Sequence, residues 1–489
     1  MERRELIKKL SLTGIGFTIM PTISEALMPS NNHCENKTEK LKIPKNPNII
    51  FVICHDLGRV LGCYGKPIES PNIDKFAKNG VLFTNMFCNA PACSPSRGCL
   101  YSGMYSHNNG LIGLSHHGYE YHQTTKLMVD YFNDAGYDTI HIGLQHETLF
   151  STPHKNRYKF ELRKNWEDEH VSNAVDQAIE LLKERKNNKT PFYLNIGTAE
   201  THDSQYNFKN EKWHKIYGET SKEKIWVPEY LPKNVASLEQ HQGDLQAAIK
   251  HFDYHIGRLF EAIKQFDYEK NTLVVLTTDH GIANERAKSS LYQAGVEITY
   301  IMSMPDVLPH GLIVDNLLQN IDVAPTLLEF AGITTPETMQ GKSFLNRIMG
   351  NAYKAHNYIF LERNYHGPYD PIRAIRTSRY LCIKNFDKNA KKQWLPNEVE
   401  NEINKTKLDI YPNIYPERSL KRNEIELFDI SIDPNCLNDI SGNPEYSDVI
   451  EELTNMINKW LIETNDPILK GTMPPAKMPD DPFNDQYHH

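Results

Sequence analysis

The apolar positions of this chain fall into two periods. Asn48 to Cys54 (NIIFVIC) is a continuous apolar run, and Asp138 to Gly143, Pro191 to Gly197, Thr272 to Thr278 and Glu297 to Met302 share its character. Runs apolar at successive positions predict strands buried on both faces. Between them, helical spacing occurs at about 72–79, 124–135, 170–186 and 244–266. The last of these carries Leu245, Ala248, Ile249, Phe252, Ile256, Leu259, Phe260 and Ile263 on one stripe. Strands alternating with helices predict an α/β fold with a large mixed, mostly parallel sheet sandwiched by helices. Ligands bind such sheets beyond the carboxyl ends of the strands. His55-Asp56, His146, His202 and Asp279-His280 all follow predicted strands.

After Gly332 the pattern changes. Short alternating runs at Tyr358 to Glu362, Arg373 to Phe386 and Ile425 to Ile430, then a helix near 446–463, predict a smaller C-terminal α+β subdomain. The expected division is 1–28 signal peptide, 29–46 linker, 47–350 catalytic domain, 351–467 C-terminal subdomain and 468–489 tail.

Composition narrows the function. With 39% hydrophobic residues, 25 Tyr and 19 Phe, the 489-residue chain is too apolar to be disordered throughout. Its net charge of −8 excludes a nucleic-acid binder that relies on a globally basic surface. A polyanionic substrate would need a local basic pocket. Arg3, Arg4, Lys8 and Lys9 precede an apolar stretch from Leu10 to Met20 and small residues around Ser24 to Ala26. This reads as a secretory signal with a twin-arginine character, so a periplasmic or secreted address is expected. The stretch is too short for stable membrane insertion. The eight cysteines show neither a disulfide framework nor a CxxC zinc pair.

The most specific string is Cys93-Ser94-Pro95-Ser96-Arg97-Gly98-Cys99-Leu100-Tyr101-Ser102-Gly103. It resembles the signature of the formylglycine-dependent sulfatases, members of the alkaline phosphatase superfamily, in which the first residue is oxidised to formylglycine. His55-Asp56-Leu57-Gly58 is similar to that family's Asp-Asp metal pair, and Thr277-Thr278-Asp279-His280-Gly281 to its second metal pair. Phe192 to His202, Asp322 to Leu328 and Glu426 to Asp429 match further landmarks, so the resemblance spans about 47 to 467 in the family's order. Within the family, His107 to Leu114, Lys288 to Tyr292 and Trp460 to Pro467 resemble the sulfamidase subgroup, which acts on N-sulfoglucosamine.

The resemblance implies an alkaline-phosphatase-like fold and a sulfated glycan as substrate, most specifically the N-sulfoglucosamine of heparin or heparan sulfate fragments. It also implies a maturase that converts Cys93 to formylglycine, whose gem-diol attacks sulfur. Carboxylates from Asp56 and Asp279, with His55 and His280, suit a divalent cation, Ca2+ first and Mn2+ or Zn2+ next. Arg97, one helical turn after the nucleophile, returns its donors to the same pocket. Lys288 would hold a sulfuryl oxygen, His202 would protonate the leaving group, and His146 would orient the formylglycine hydroxyl.

Two departures from the family stand out. His55 replaces the first metal Asp and His280 stands where Asn is usual. In Gly143-Leu144-Gln145-His146 the family's lysine is missing, so Gln145 or another cation takes its place, or activity is altered. A glycosaminoglycan O-sulfatase, a phosphonate or phosphodiester hydrolase of the same superfamily, and a non-catalytic glycan binder are the alternatives. His116-His117 reads equally as a substrate-contacting pair or an exposed loop pair. His251 and His255, one helical turn apart, read as a solvated face, as does the helix end from Lys183 to Lys189.

Overall fold

A computed structural model describes residues 42–148, 157–162, 166–202, 224–231, 233, 235–284, 286–366, 369–387 and 422–476. The expected signal peptide, most of the expected linker and the end of the tail lie outside the described residues. The described residues belong to one compact unit.

Fourteen strands are described: β1 Asn48–Cys54, β2 Val81–Phe83, β3 Met86–Phe87, β4 Asp138–Gly143, β5 Phe160–Glu161, β6 Phe192–Thr198, β7 Thr272–Thr278, β8 Tyr300–Ser303, β9 Leu312–Val314, β10 Leu318–Gln319, β11 Tyr358–Tyr365, β12 Tyr369–Thr377, β13 Tyr380–Asn385 and β14 Ile425–Asp429. The main sheet runs β5-β4-β6-β1-β7-β8-β2-β9. Its pairs are parallel except those of β8, which runs against β7 and β2. The mixed, mostly parallel α/β sheet expected from the sequence is therefore present.

The reason lies in the two faces of β1. Ile49, Phe51 and Ile53 enter one core, while Ile50, Val52 and Cys54 enter the other. Leu273 and Val275 of β7 divide from Val274 and Leu276 in the same way. Every side chain of these strands is buried, so helices must cover both faces. The helices Val171–Glu184 and Ala236–Gln265 cover the second face, the latter through Leu245, Ala248, Ile249, Phe252, Ile256, Leu259 and Ile263. Phe260, from the same predicted stripe, is only half-buried and stacks on Phe76 at 4.2 Å.

The predicted strand from Glu297 to Met302 is displaced. A short helix, Gln293–Val296, precedes it, and the ladder with β7 involves Tyr300 to Ser303. The C-terminal part is a four-stranded antiparallel sheet, β11-β12-β13-β14. The helix Ser447–Glu463 covers it with Leu453, Ile457, Trp460 and Leu461 against Ile375, Cys382 and Leu427.

Candidate active site

The carboxyl ends of four adjacent parallel strands bring the polar pairs together. β1 delivers His55 and Asp56, β4 leads to His146, β6 to His202, and β7 to Asp279 and His280. The β1 and β7 ends are tied to each other: Asp56 N donates to Asp279 Oδ1 (2.9 Å), Leu57 N to Thr278 Oγ1 (3.0 Å) and Gly58 N to His280 O (2.9 Å). Asp56 has φ of +51°, a left-handed conformation that a non-glycine residue holds only when its surroundings impose it. Gly281 meets a different demand, since a Cβ there would fall 1.9 Å from the Ala294 carbonyl oxygen.

Cys93 opens the helix Cys93–Ser102, all of whose residues are buried. Ser96 Oγ donates to the Asp279 carbonyl, fixing the helix against the end of β7, and Asn320 Nδ2, just after β10, donates to Ser96 O (3.0 Å). One turn on from Cys93, Arg97 donates from Nε to Asp279 Oδ2 (3.1 Å). Its two amino groups are fully buried and, among the described residues, have no hydrogen-bond partner. Burying a guanidinium with open donors is costly unless an anion or acceptor completes it.

His55, Asp56, Cys93, Asp279 and His280 each offer a ligand atom, and all five atoms lie within 4.8 Å of one another. His55 Nδ1 is 2.6 Å from Asp56 Oδ1 and 3.3 Å from Asp279 Oδ2. His280 donates from Nδ1 to Gly281 O (2.9 Å), so in the neutral ring Nε2 is an acceptor. That nitrogen faces Asp56 Oδ1 at 3.1 Å and Cys93 Sγ at 3.4 Å. Acceptors facing acceptors in a buried cluster are the arrangement a cation resolves, so the residues fit a divalent ion. Two carboxylates and two imidazoles form a mixed oxygen and nitrogen set.

Lys288 Nζ donates to Asp56 Oδ2 (2.7 Å) and lies 3.2 Å from His202 Nε2. The His202 ring meets His55 edge-on at 4.4 Å. His146 presents Nδ1 to His55 Nε2 at 3.2 Å. His146, His202 and His116 are half-buried, so imidazoles form the rim of a floor made from buried charged groups.

Electrostatics follow from this burial. Burial lowers His55, His146 and His202 well below the usual imidazole range, and Arg97 or Lys288 reinforces the effect in each case. For Lys288 burial acts downward, but Asp56 and then Cys93 hold the ammonium above its ordinary value. Burial pushes the Cys93 thiol up to about 12, with Lys288 opposing and Asp56 and Asp279 adding to the rise. An unconverted Cys93 is thus a neutral thiol at neutral pH and a poor nucleophile.

All nine residues singled out from the sequence meet here. Gln145 does not join them: its amide closes a turn, donating from Nε2 to Thr148 O (3.0 Å) and accepting from Thr148 N at Oε1 (3.0 Å). His116 belongs to the site, with Nδ1 3.3 Å from His146 Nε2. His251 and His255 are not on a solvated face. Both are buried, His251 Nε2 lying 3.8 Å from Glu200 Oε1 and His255 Nδ1 2.9 Å from Arg258 Nη1. Two further residues were not apparent in the sequence. Glu147 is buried and accepts from His146 N (2.9 Å). His366, after β11, is held well below its usual range by burial, then Lys288, Arg363 and His280. No motif surrounds either residue.

A profile described as Sulfatase matches residues 47–333, and one described as "N-sulphoglucosamine sulphohydrolase, C-terminal" matches 279–411. An ulvan-active sulfatase of Formosa agariphila is 27% identical over 86% of this chain and 80% of its own length. The human N-sulphoglucosamine sulphohydrolase is 24% identical over 86% of this chain and 91% of its own. Among solved structures, a protein from the glycosaminoglycan-metabolising core locus of Bacteroides thetaiotaomicron superposes with a TM-score of 0.69 at 22% identity, covering 88% of this chain and 100% of that one. Another, described in complex with its substrate D-glucosamine-2-N,6-O-disulfate, gives 0.66 at 19% identity, covering 86% and 99%.

Proposed function

Because this chain belongs to the sulfatase family, we propose that it hydrolyses sulfate from sulfated glycans, with N-sulfoglucosamine of heparin or heparan sulfate fragments as the preferred substrate. The observation that carries the reading is Cys93, buried within a ring of carboxylates and imidazoles, with the open donors of Arg97 and the ammonium of Lys288 beside it. Glycan specificity draws on the C-terminal match, on the human relative and on the landmarks from His107 to Pro467.

Converted to formylglycine by a maturase, residue 93 would supply a hydrated aldehyde as nucleophile. A cation held by His55, Asp56, Asp279 and His280 would neutralise charge on sulfate and nucleophile, Ca2+ first, with Mn2+ or Zn2+ also suited by the two imidazoles. The chain's own groups do the rest. Arg97 and Lys288 present positive charge to the sulfuryl oxygens in a site where water does not screen it. His146 orients the hydroxyl at position 93. His202, neutral through burial, takes up a proton and delivers it to the departing oxygen or nitrogen. The N-terminal pattern makes a periplasmic or secreted enzyme the matching address.

A panel of N-, 2-O-, 3-O- and 6-O-sulfated glucosaminides and uronides, followed by sulfate release, tests the substrate. Release from N-sulfoglucosamine is expected. Release only from O-sulfates would favour a glycosaminoglycan O-sulfatase, the reading that a relative described as a delta 4,5-hexuronate-2-O-sulfatase supports. Turnover of phosphonates or phosphodiesters alone would remove the sulfatase activity. Intact mass of the peptide carrying position 93, about 18 Da lighter after conversion, separates an enzyme from a non-catalytic binder.

A further inference from the structure

Along the helix Ala236–Gln265, residues spaced by four form a row that leads away from the active site. Gln242 Nε2 donates to Asn284 Oδ1 (2.9 Å), in the chain just after Asp279-His280. Gln246 holds Trp226 by both backbone groups, accepting from its N (3.4 Å) and donating to its O (3.2 Å). Lys250 pairs with Glu69 at 3.0 Å, and Tyr254 ends the row. Rows of this spacing are inclined to the helix axis. The row therefore turns outward as it descends: Gln242 is fully buried, Lys250 half-buried and Tyr254 51% exposed. From Gln242 to Tyr254 it spans about 18 Å.

Three cavities adjoin this row and share walls. One of 220 Å³ lies between Gly58, Ile282 and Trp226. The next, of 600 Å³, runs from Trp226 past Gln246 to Lys250 and Glu69. The third, of 450 Å³, continues from Lys250 and Glu69 to Tyr254. Gly58 and Ile282 follow closely on Asp56 and His280, so the trough begins at the loops that carry the candidate cation cluster. Its charge differs from that of the chain as a whole. Lys224, Lys233 and Lys250 line the 600 Å³ cavity against Glu69 and Glu239, and Lys66 Nζ stands 5.4 Å from the centre of the Trp226 ring. Positive groups thus outnumber negative ones here, in a chain of net charge −8.

We propose that this trough is a second binding site for a sulfated glycan chain, in which Trp226 packs against a sugar ring and Lys66, Lys224 and Lys250 take sulfate groups. The choice of ligand rests on the sulfated-glycan reading of the active site. An indole offers a broad apolar face to the C–H face of a pyranose and keeps a polar edge for its hydroxyls. An ammonium on a flexible stem is a point charge that reaches a sulfate without demanding one fixed geometry. That tolerance suits a polymer whose sulfation varies from one sugar to the next. Lys250 is not locked to its present partner, because the Glu69 side chain is 68% exposed and water screens the pair. A succession of joined cavities accommodates several sugars in line, whereas a single sugar would need only one.

The test is calorimetric binding of heparin to the full chain carrying Cys93→Ala, which releases no sulfate. In that background Trp226→Ala, and separately Lys224→Gln with Lys250→Gln, should each weaken heparin about three- to tenfold. With Cys93 intact, both sets should leave kcat/KM for an aryl sulfate within about twofold of the parent, since these residues lie outside the catalytic set. Unchanged heparin affinity in the variants would overturn the proposal, as would hyaluronan, an unsulfated chain, binding as tightly as heparin. Equal losses toward phosphatidylglycerol vesicles would assign the lysines to anionic surfaces in general and overturn it too. An aryl sulfate loss as large as the heparin loss would place the effect in the fold or the active site, against a separate trough. Should Trp226→Ala fail to fold, the two lysine changes decide alone. Weakened heparin binding without turnover of any sulfated glucosaminide would leave the trough standing and remove the substrate reading. Turnover of N-sulfoglucosamine with heparin affinity unchanged in the variants would remove the trough alone.

Discussion

Lys288 donates to Asp56 across 2.7 Å, although the two residues lie 232 positions apart in the chain. One buried ammonium thereby serves a carboxylate of the candidate cation cluster and stands 3.2 Å from His202. Lys288→Met should lower kcat about 10²- to 10³-fold, the usual effect of removing a preorganised charge from a water-poor site. Steady-state kinetics on an aryl sulfate check this, and a loss below about tenfold would remove Lys288 from the reaction.

Cys93→Ala should abolish turnover while the thermal unfolding midpoint stays close to that of the parent, since the side chain supplies chemistry more than core volume. Residual activity above about one thousandth of the parent would require a different nucleophile.

Chelation should inactivate the enzyme, and Asp279→Ala should do the same, because the cation would carry much of the charge stabilisation. Ca2+ should restore activity, and with two imidazoles in the set Mn2+ or Zn2+ should also restore part of it. Full activity after exhaustive chelation would contradict the cluster's role.

A pH effect on stability is expected from His170, whose Nδ1 lies 3.5 Å from Glu200 Oε1. Burial acts against its charged form, but Glu200, then Glu169 and Glu167, raise it above the usual imidazole value. The folded state binds the proton more tightly than the unfolded one. The stabilisation is therefore fully present below about pH 6.5 and is lost as pH rises through the raised value. Melting curves of the parent and His170→Gln should differ most in mild acid and converge in alkali. A constant difference at all pH values would rule out the linkage.

The cluster of His107, Glu362, Arg373 and Asp466 should be structural. Arg373 is fully buried and donates from Nε and Nη2 to the Asp466 carboxylate at 2.6 and 3.0 Å. Against burial, His107 and Arg373 hold Glu362 down at about 2. Arg373→Met would strand two buried carboxylates and should cost about 3–5 kcal/mol by urea denaturation. The Glu362 contribution is present above its unfolded value and is lost as pH falls through about 2, so the parent should withstand acid better than the variant. A cost under about 1 kcal/mol would show the network to be dispensable.

Much of the site was legible because its signals are local. The runs from Asn48 to Cys54 and from Thr272 to Thr278 announce strands buried on both faces, and the chain must then turn at their carboxyl ends, where His55-Asp56 and Asp279-His280 stand. Cys93 and Arg97 share one helical turn, so their convergence follows from helix geometry alone. Identities within ten residues of one another determined these features.

Packing between distant segments decided the rest. His251 and His255 look solvated on a helical wheel, yet both are buried, and His251 faces Glu200, beyond the end of β6. His116 reads as a loop residue until the Ser94 hydroxyl and the His146 carbonyl fix its turn. Gln145 looked able to replace a lysine, but its amide satisfies the turn at Thr148. The meeting of His107 with Asp466 arises only when the C-terminal part of the chain docks. A sequence pattern specifies which face of an element is apolar; which polar group meets which is set by the three-dimensional packing of elements far apart in the chain.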